Sequence, residues 1–274
     1  MRWLRCIWRL AHLFLVIVSM AADFALRPPK DAVAGACRMH RHCARMIAAL
    51  GIQWMASGEP VGMGAVVSNH LSYLDILLYA SARPFVMVAK SEVSRWPLIG
   101  WLTRQAGTVY VVRGGGPPTW PAINQAMADA FRTGLPVLFF PEGTTTDGSI
   151  VQPFRRGLLH SILNEGVPLY ASAVRYSSGQ ACWFGDALLL PHIVQIAGLR
   201  DLRAEIRFGK ALAERRNRFK MAISARETVT ELYLGLGPVR SASGQAMLAH
   251  PAEDLLDRPV EGVSSLNGQR CVPG

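Results

Sequence analysis

The chain has 274 residues, 50% of them hydrophobic and 18% charged, with a formal net charge of +10. That length suits one α/β domain with appended segments and a large core, and so apolar a balance argues against a freely soluble protein and for a membrane-associated one. No nucleic-acid-binding motif and no basic groove interleaved with stacking aromatics accompanies the positive charge, which excludes nucleic acid as its partner; the five scattered cysteines spell no disulfide framework and fit a reducing compartment.

The charge is uneven. Residues 1–50 hold 8 basic and 2 acidic side chains, residues 51–150 hold 6 and 6, and residues 151–274 hold 15 and 11. Basic segments flanking a neutral middle are drawn to anionic headgroups, at about 1 kcal/mol per basic residue near the surface.

Residues 1–30 read as a membrane anchor. Met1 to Arg9 mixes three arginines with Trp3 and Trp8, and Leu10 to Leu26 is nearly all apolar. A helix over those last residues is roughly 25 Å long, at the short limit for spanning a bilayer, so it either spans or lies in the interface. Tryptophans suit the headgroup region, and the arginines place that end on the cytoplasmic side. A cleaved signal peptide is the alternative, because Val18-Ser-Met-Ala21 resembles a small-residue cleavage site. Next comes an arginine-rich amphipathic helix from about Ala34 to Leu50. Cys37, His40 and Cys43 in it are candidate metal ligands by type, but no second ligand pair with matching spacing follows, and the expectation is no metal.

Strands are expected at Ala65–Ser68, Pro84–Ala89, Thr108–Val112, Val137–Phe140, Leu169–Val174 and Ala204–Phe208. Helices are expected at Tyr73–Ser81, Ser91–Gln105, Thr119–Arg132, Gly157–Glu165 and Ala211–Tyr233. This alternation predicts an α/β fold with a mostly parallel central sheet flanked by helices over residues 31–234, with ligands at the carboxyl ends of the strands. From Gly235 the sequence turns to Gly, Pro, Ser and scattered charge, and residues 235–274 read as a poorly ordered tail.

Two stretches carry chemistry. In Val66-Val-Ser-Asn-His-Leu-Ser-Tyr-Leu-Asp75, Ser72 and Asp75 have the spacing of a capping box, with Ser72 as N-cap. His70 then stands just outside the helix, from where it can fold back toward Asp75; inside one continuous helix the two would lie about 140° apart. A carboxylate that fixes the imidazole tautomer leaves the other nitrogen free to take a proton from a hydroxyl, so capping and catalysis are compatible. The second stretch, Leu138-Phe-Phe-Pro-Glu-Gly-Thr-Thr-Thr-Asp-Gly148, is a hydrophobic strand ending in a hydroxyl-rich turn. A plain strand-to-loop turn explains Gly143, Asp147 and Gly148, yet Glu142 at the end of a central strand needs partners, and amides around Gly143 offer a place for an anionic or hydroxyl-bearing ligand. The run Gly114-Gly-Gly-Pro-Pro118 is read as a loop rather than a phosphate cradle.

Asn69-His-Leu-Ser-Tyr-Leu-Asp75 together with Phe140-Pro-Glu-Gly-Thr144 resembles the first and third motifs of the glycerolipid and lysophospholipid acyltransferase family. Gly107-Thr-Val-Tyr-Val-Val-Arg113 is similar to its second motif and Gly166-Val-Pro-Leu-Tyr-Ala-Ser-Ala-Val-Arg-Tyr176 to its fourth. The resemblance implies that His70 is a general base oriented by Asp75, for direct attack of an acceptor hydroxyl on an acyl thioester, with acyl-CoA or acyl carrier protein as co-substrate and neither a cofactor, a metal nor an acyl-enzyme. Arg113, Glu142, Gly143 and Thr144 match positions that hold the acceptor, and Phe154-Arg155-Arg156-Gly157 resembles the basic step after the third motif. Membrane lipids are the implied partners, at the cytoplasmic membrane with the site facing the cytoplasm. Members that acylate lysophosphatidic acid commonly carry arginine where this chain has Thr145; the turn is closer to those that acylate zwitterionic lysophospholipids or lyso-ornithine lipids, while Arg113, Arg155 or Arg156 keep a phosphate acceptor open. A lipid hydrolase using the same base is the rival enzyme class, weakened by the lack of a G-x-S-x-G elbow, and a non-catalytic membrane-binding protein is the third reading.

Overall fold

The five residues of β2 (Gly64–Ser68) are buried on both faces, which marks the middle of a parallel sheet covered on two sides. The structure is a computed structural model describing residues 2–59, 61–112, 116–214 and 216–237. Seven strands run in the order β1-β7-β6-β2-β5-β3-β4, where β1 is Ile52–Gly58, β3 Val86–Lys90, β4 Val109–Val111, β5 Pro136–Phe139, β6 Leu169–Tyr176 and β7 Leu202–Ala211. β6, β2, β5, β3 and β4 are parallel, while β7 turns antiparallel to β6 and carries β1 parallel to itself. The mostly parallel sheet therefore stands as expected, with a reversed pair at one edge.

Alternation along the strands divides the core. Ala65, Val67, Val137, Phe139, Leu169 and Ala171 point to one face, where they pack against α5 (Trp120–Arg132), α6 (Gly157–Glu165) and α8 (Arg218–Gly235). Val66, Leu138, Val174 and Tyr176 point to the other face, covered by α1 (Arg2–Leu26), α2 (Ala32–Ala49), α3 (Tyr73–Ala82) and α7 (Leu189–Gly198). On that face Tyr79, fully buried on α3, links its hydroxyl to Ser68 Oγ at 2.8 Å and Ser172 Oγ at 2.7 Å, fastening the helix across β2 and β6. On α3, Tyr79 and Ala80 are core, whereas Ile76 is exposed.

Two expected elements changed, and two others, β1 and α7, form outside the expected set. The expected helix Ser91–Gln105 is a 3-10 turn over Ser91–Arg95 and then α4 (Ile99–Gln105), because Pro97 holds Trp96 in extended conformation. The last helix begins at Arg218 rather than Ala211, since β7 continues to Ala211 and Asn217 caps the helix by accepting from the amides of Phe219 and Lys220. The expected tail lies, from residue 238 onward, outside the described residues.

Helix α1 is docked along the body rather than projecting from it. Its buried positions, Cys6, Leu13, Val16, Met20 and Phe24, follow helical spacing. Arg9 donates to the carbonyls of Ala197 and Leu199 and Arg5 to Gly198, so two cations neutralise the carbonyl end of α7. At the other end Asp23 pairs with His42 at 2.9 Å and Arg38 at 3.6 Å on α2. The opposite face exposes Trp3, Leu4, Ile7, Trp8, Phe14 and Leu15. In detergent-solubilised protein, Arg9→Ala should speed amide hydrogen exchange in the first half of α1 while β2 and β5 keep their protection, because it removes charged hydrogen bonds worth about 1.5–3 kcal/mol each. Unchanged protection of α1 would show that those contacts do not hold it.

Candidate active site

The carboxyl ends of β2, β5 and β6 lie side by side and deliver His70, Glu142 and Tyr176 to one place. Between β2 and α3, Asn69 is 1% exposed and bridges to β6: its amide donates to Val174 O at 3.0 Å and its carbonyl accepts from Val174 N at 2.9 Å. The His70 carbonyl accepts from Thr146 N at 2.9 Å, which ties the loop after β5 to the same peptide. Backbone hydrogen bonds thus fix His70 from both sides.

Asp75, with no exposed surface, sits in the first turn of α3. Its Oδ2 accepts from His70 Nδ1 at 2.8 Å, Leu71 N at 2.6 Å and Ser72 N at 2.9 Å, and its Oδ1 accepts from the Tyr176 hydroxyl at 2.6 Å. The contact to Ser72 N is the carboxylate half of the expected capping box, and the same oxygen orients the imidazole. Burial, reinforced by the neighbouring Asp75 charge, holds the Tyr176 phenol protonated well above its ordinary range, as a donor to Asp75 must be. Because a carboxylate only accepts, the neutral His70 ring carries its proton on Nδ1 and its lone pair on Nε2. Nε2 makes no hydrogen bond among the described residues. The Phe140 ring stacks on the imidazole with centroids 4.0 Å apart and planes 9° from parallel, fixing its plane and shielding one face. The arrangement can take a proton from a hydroxyl brought to Nε2.

Glu142 is 4% exposed and lies against the backbone of the same turn, with Oε2 3.4 Å from His70 N and Oε1 3.3 Å from Gln152 N. Two long hydrogen bonds do not replace the lost water, so burial pushes its carboxyl up to about 8, with the nearby Asp75 charge adding to the rise. Gly143 follows with φ +75°, and its amide turns inward to Phe140 O at 3.1 Å, so it is not among the ligand-facing amides expected there. Thr144 is exposed on the same turn. His70, Asp75, Glu142, Gly143 and Thr144 are therefore brought together, whereas Arg113 lies outside the described residues. The sequence reading missed three contributors: Tyr176, Phe140 as a stacking partner, and Asn69 as a bridge. Tyr176 alone left a signal, since its even parity with Val174 on β6 puts it on the face of the sheet that α3 covers.

Residues 60–175 match the family model described as Acyltransferase. The chain is 36% identical over 208 residues to a lyso-ornithine lipid O-acyltransferase of Pseudomonas aeruginosa, covering 72% of this chain and 79% of that one. It is 34% identical over 153 residues to a 1-acyl-sn-glycerol-3-phosphate acyltransferase of Neisseria gonorrhoeae, covering 52% of this chain and 59% of that one. The crystal structure of the 1-acyl-sn-glycerophosphate acyltransferase PlsC from Thermotoga maritima superposes with a TM-score of 0.63 at 17% identity, covering 88% of this chain and 100% of that one, a likeness of fold.

The raised Glu142 carboxyl makes stability depend on pH. With a pKa raised from 4.5 to about 8, the folded protein holds a proton that the unfolded chain releases, so this contribution to stability is fully present below about pH 4.5 and is lost as pH rises through about 8. Glu142→Gln cannot titrate and carries only a constant offset. Melting temperatures from pH 5 to 9 should show the wild type losing ground steadily against the variant; a gap independent of pH would contradict the raised pKa.

Proposed function

Because the chain belongs to the acyltransferase family, we propose that it transfers a fatty acyl group from acyl-CoA or acyl carrier protein to the free hydroxyl of a lysolipid at the membrane surface, with His70 as the base. The observation that carries this reading is the His70 Nδ1 to Asp75 Oδ2 contact of 2.8 Å, which leaves Nε2 as an unengaged acceptor among the described residues. In the step, Nε2 takes the hydroxyl proton as the oxygen adds to the thioester carbonyl. The imidazolium so formed is stabilised by the Asp75 charge. Collapse of the tetrahedral intermediate breaks the carbon–sulfur bond, and the imidazolium returns its proton to the departing thiolate. One ester forms, one thioester is lost, and neither an acyl-enzyme nor a metal or cofactor takes part.

Glu142, Gly143, Thr144 and Arg113 are assigned to the acceptor. A carboxyl raised to about 8 is largely protonated near neutrality, so Glu142 can donate a hydrogen bond to a lipid oxygen as well as accept one. Relatives named for lyso-ornithine lipid and for 1-acyl-sn-glycerol-3-phosphate both lie close to this chain, and Thr145 favours the zwitterionic class.

Membrane contact is assigned to α1. Its inner face is bound to α2, α4 and α7, so a lying orientation, with Trp3, Trp8, Phe14 and Leu15 in the headgroup region, costs no tertiary contact, whereas crossing the bilayer would strip that face. The donor thioesters are cytoplasmic, and the site is assigned to that side.

Membranes containing the protein, incubated with acyl-CoA and a panel of lysolipids, should yield acylated lipid rather than free fatty acid. His70→Ala should lower turnover by about 10²–10⁴-fold with fold and membrane binding retained. Undiminished turnover would remove His70 from the mechanism, and lysophosphatidic acid as sole acceptor would overturn the inference from Thr145.

A further inference from the structure

The turn Phe140-Pro-Glu-Gly-Thr-Thr145 lacks a cation of its own, and the structure brings one to it from elsewhere in the chain. Residues 151–155 fold back along the turn: Gln152 N reaches Glu142 Oε1 at 3.3 Å, and Arg155 N donates to Pro141 O at 2.8 Å. The Arg155 side chain then rests on Gly143. A Cβ added at Gly143 would lie 2.5 Å from Arg155 Nε, 2.9 Å from Cδ and 3.0 Å from Cζ, so the arginine rests where only a glycine leaves it undisplaced, and the φ of +75° independently favours glycine there. Arg155 is exposed, and no carboxylate among the described residues lies within 4.0 Å of its guanidinium.

The other cation of the pair is engaged elsewhere. Arg156 stacks its guanidinium 4.3 Å over the Phe219 ring, at the start of α8. The amides of Thr144 and Thr145, which follow Gly143 on the turn, donate to no protein acceptor among the described residues. An unpaired guanidinium rests against the turn that carries two free amides, next to the carboxyl whose oxygen touches the His70 backbone.

We propose that Arg155 binds the oxyanion of the acceptor head group, phosphate or carboxylate, in the role that arginine at position 145 would otherwise fill. The inference rests on the acyltransferase reading. A guanidinium presents paired N–H donors to either anion, whereas a threonine hydroxyl presents one. Arg155 arises from a separate segment whose backbone, not its side chain, is bonded to the turn, so the guanidinium can be replaced without removing a hydrogen bond to Glu142 or His70.

The test uses the full-length protein in mixed micelles with lysophosphatidic acid, lyso-ornithine lipid and monoacylglycerol as acceptors, acyl-CoA being varied separately. Arg155→Gln should raise KM for the anionic acceptor that the enzyme uses by about 10- to 100-fold, the loss expected for a charged hydrogen-bonded pair, with kcat within about threefold and KM for acyl-CoA unchanged. Arg155→Lys should restore part of the affinity, and the acceptor whose KM moves identifies phosphate or carboxylate. An unchanged acceptor KM, a rise in the acyl-CoA KM instead, or an equal loss on monoacylglycerol would overturn the assignment. If the wild type acylates none of these lipids, the acyl-transfer reading fails, and Arg155 is judged by equilibrium binding. Affinity for lysophosphatidic acid or lyso-ornithine lipid that drops about tenfold in Arg155→Gln sustains it; equal affinity, or no binding by the wild type, overturns it.

Discussion

A carboxylate with no exposed surface would ordinarily be too costly to bury ionised, and Asp75 is buried because four donors converge on it: the imidazole of His70, the amides of Leu71 and Ser72, and the hydroxyl of Tyr176. Each donor does a different job. The two amides turn the chain from β2 into α3, the imidazole acquires a fixed tautomer and direction, and the hydroxyl ties this turn to β6, which lies about a hundred residues further along. Breaking any one leaves the others aimed at a charge with fewer partners, so helix start, site geometry and sheet contact stand or fall together. The site therefore inherits its rigidity from the same contacts that begin a helix.

The sheet order explains why distant segments meet. β2 lies between β5 and β6, so the carboxyl ends of these three parallel strands share one end of the sheet, and each contributes a different element: His70 just after the first, Glu142 and Gly143 just after the second, Tyr176 as the last residue of the third. Asn69 and Thr146 lock the loops to one another through backbone groups rather than through other side chains. Helix α1 covers the face from which α3 hangs, so the membrane contact proposed for α1 and the proposed base His70 are built on the same layer.

Local signals made much of this legible. The alternation of strands and helices, the capping spacing of Ser72 and Asp75, and the apolar strand ending at Pro141-Glu142 are properties of short segments, and the six expected strands and the helix after His70 formed near their expected bounds. The edge strand β1 escaped because Gln53-Trp54-Met55-Ala56-Ser57 is half exposed and lacks a buried run, and α7 because Pro191 in its first turn reads as a breaker although proline is tolerated there. Tyr176 and Phe140 acquire their roles only when strands far apart in sequence come together. Arg155 and Arg156 are indistinguishable as letters; the backbone turn that sets one against Gly143 and the other over Phe219 is what separates them.

The central claim is that Asp75 serves His70 through its charge and not only by holding the loop in shape. Asp75→Asn separates the two, because an amide oxygen in the Oδ2 position can still accept from His70, Leu71 and Ser72 while its NH2 faces the Tyr176 oxygen, and the negative charge is gone. With lysolipid acceptor and acyl-CoA under saturating conditions, the account predicts a fall in kcat on the order of 10²–10⁴-fold, with substrate KM values and melting temperature close to those of the wild type. A kcat within a few-fold of the wild type in a folded variant would contradict it.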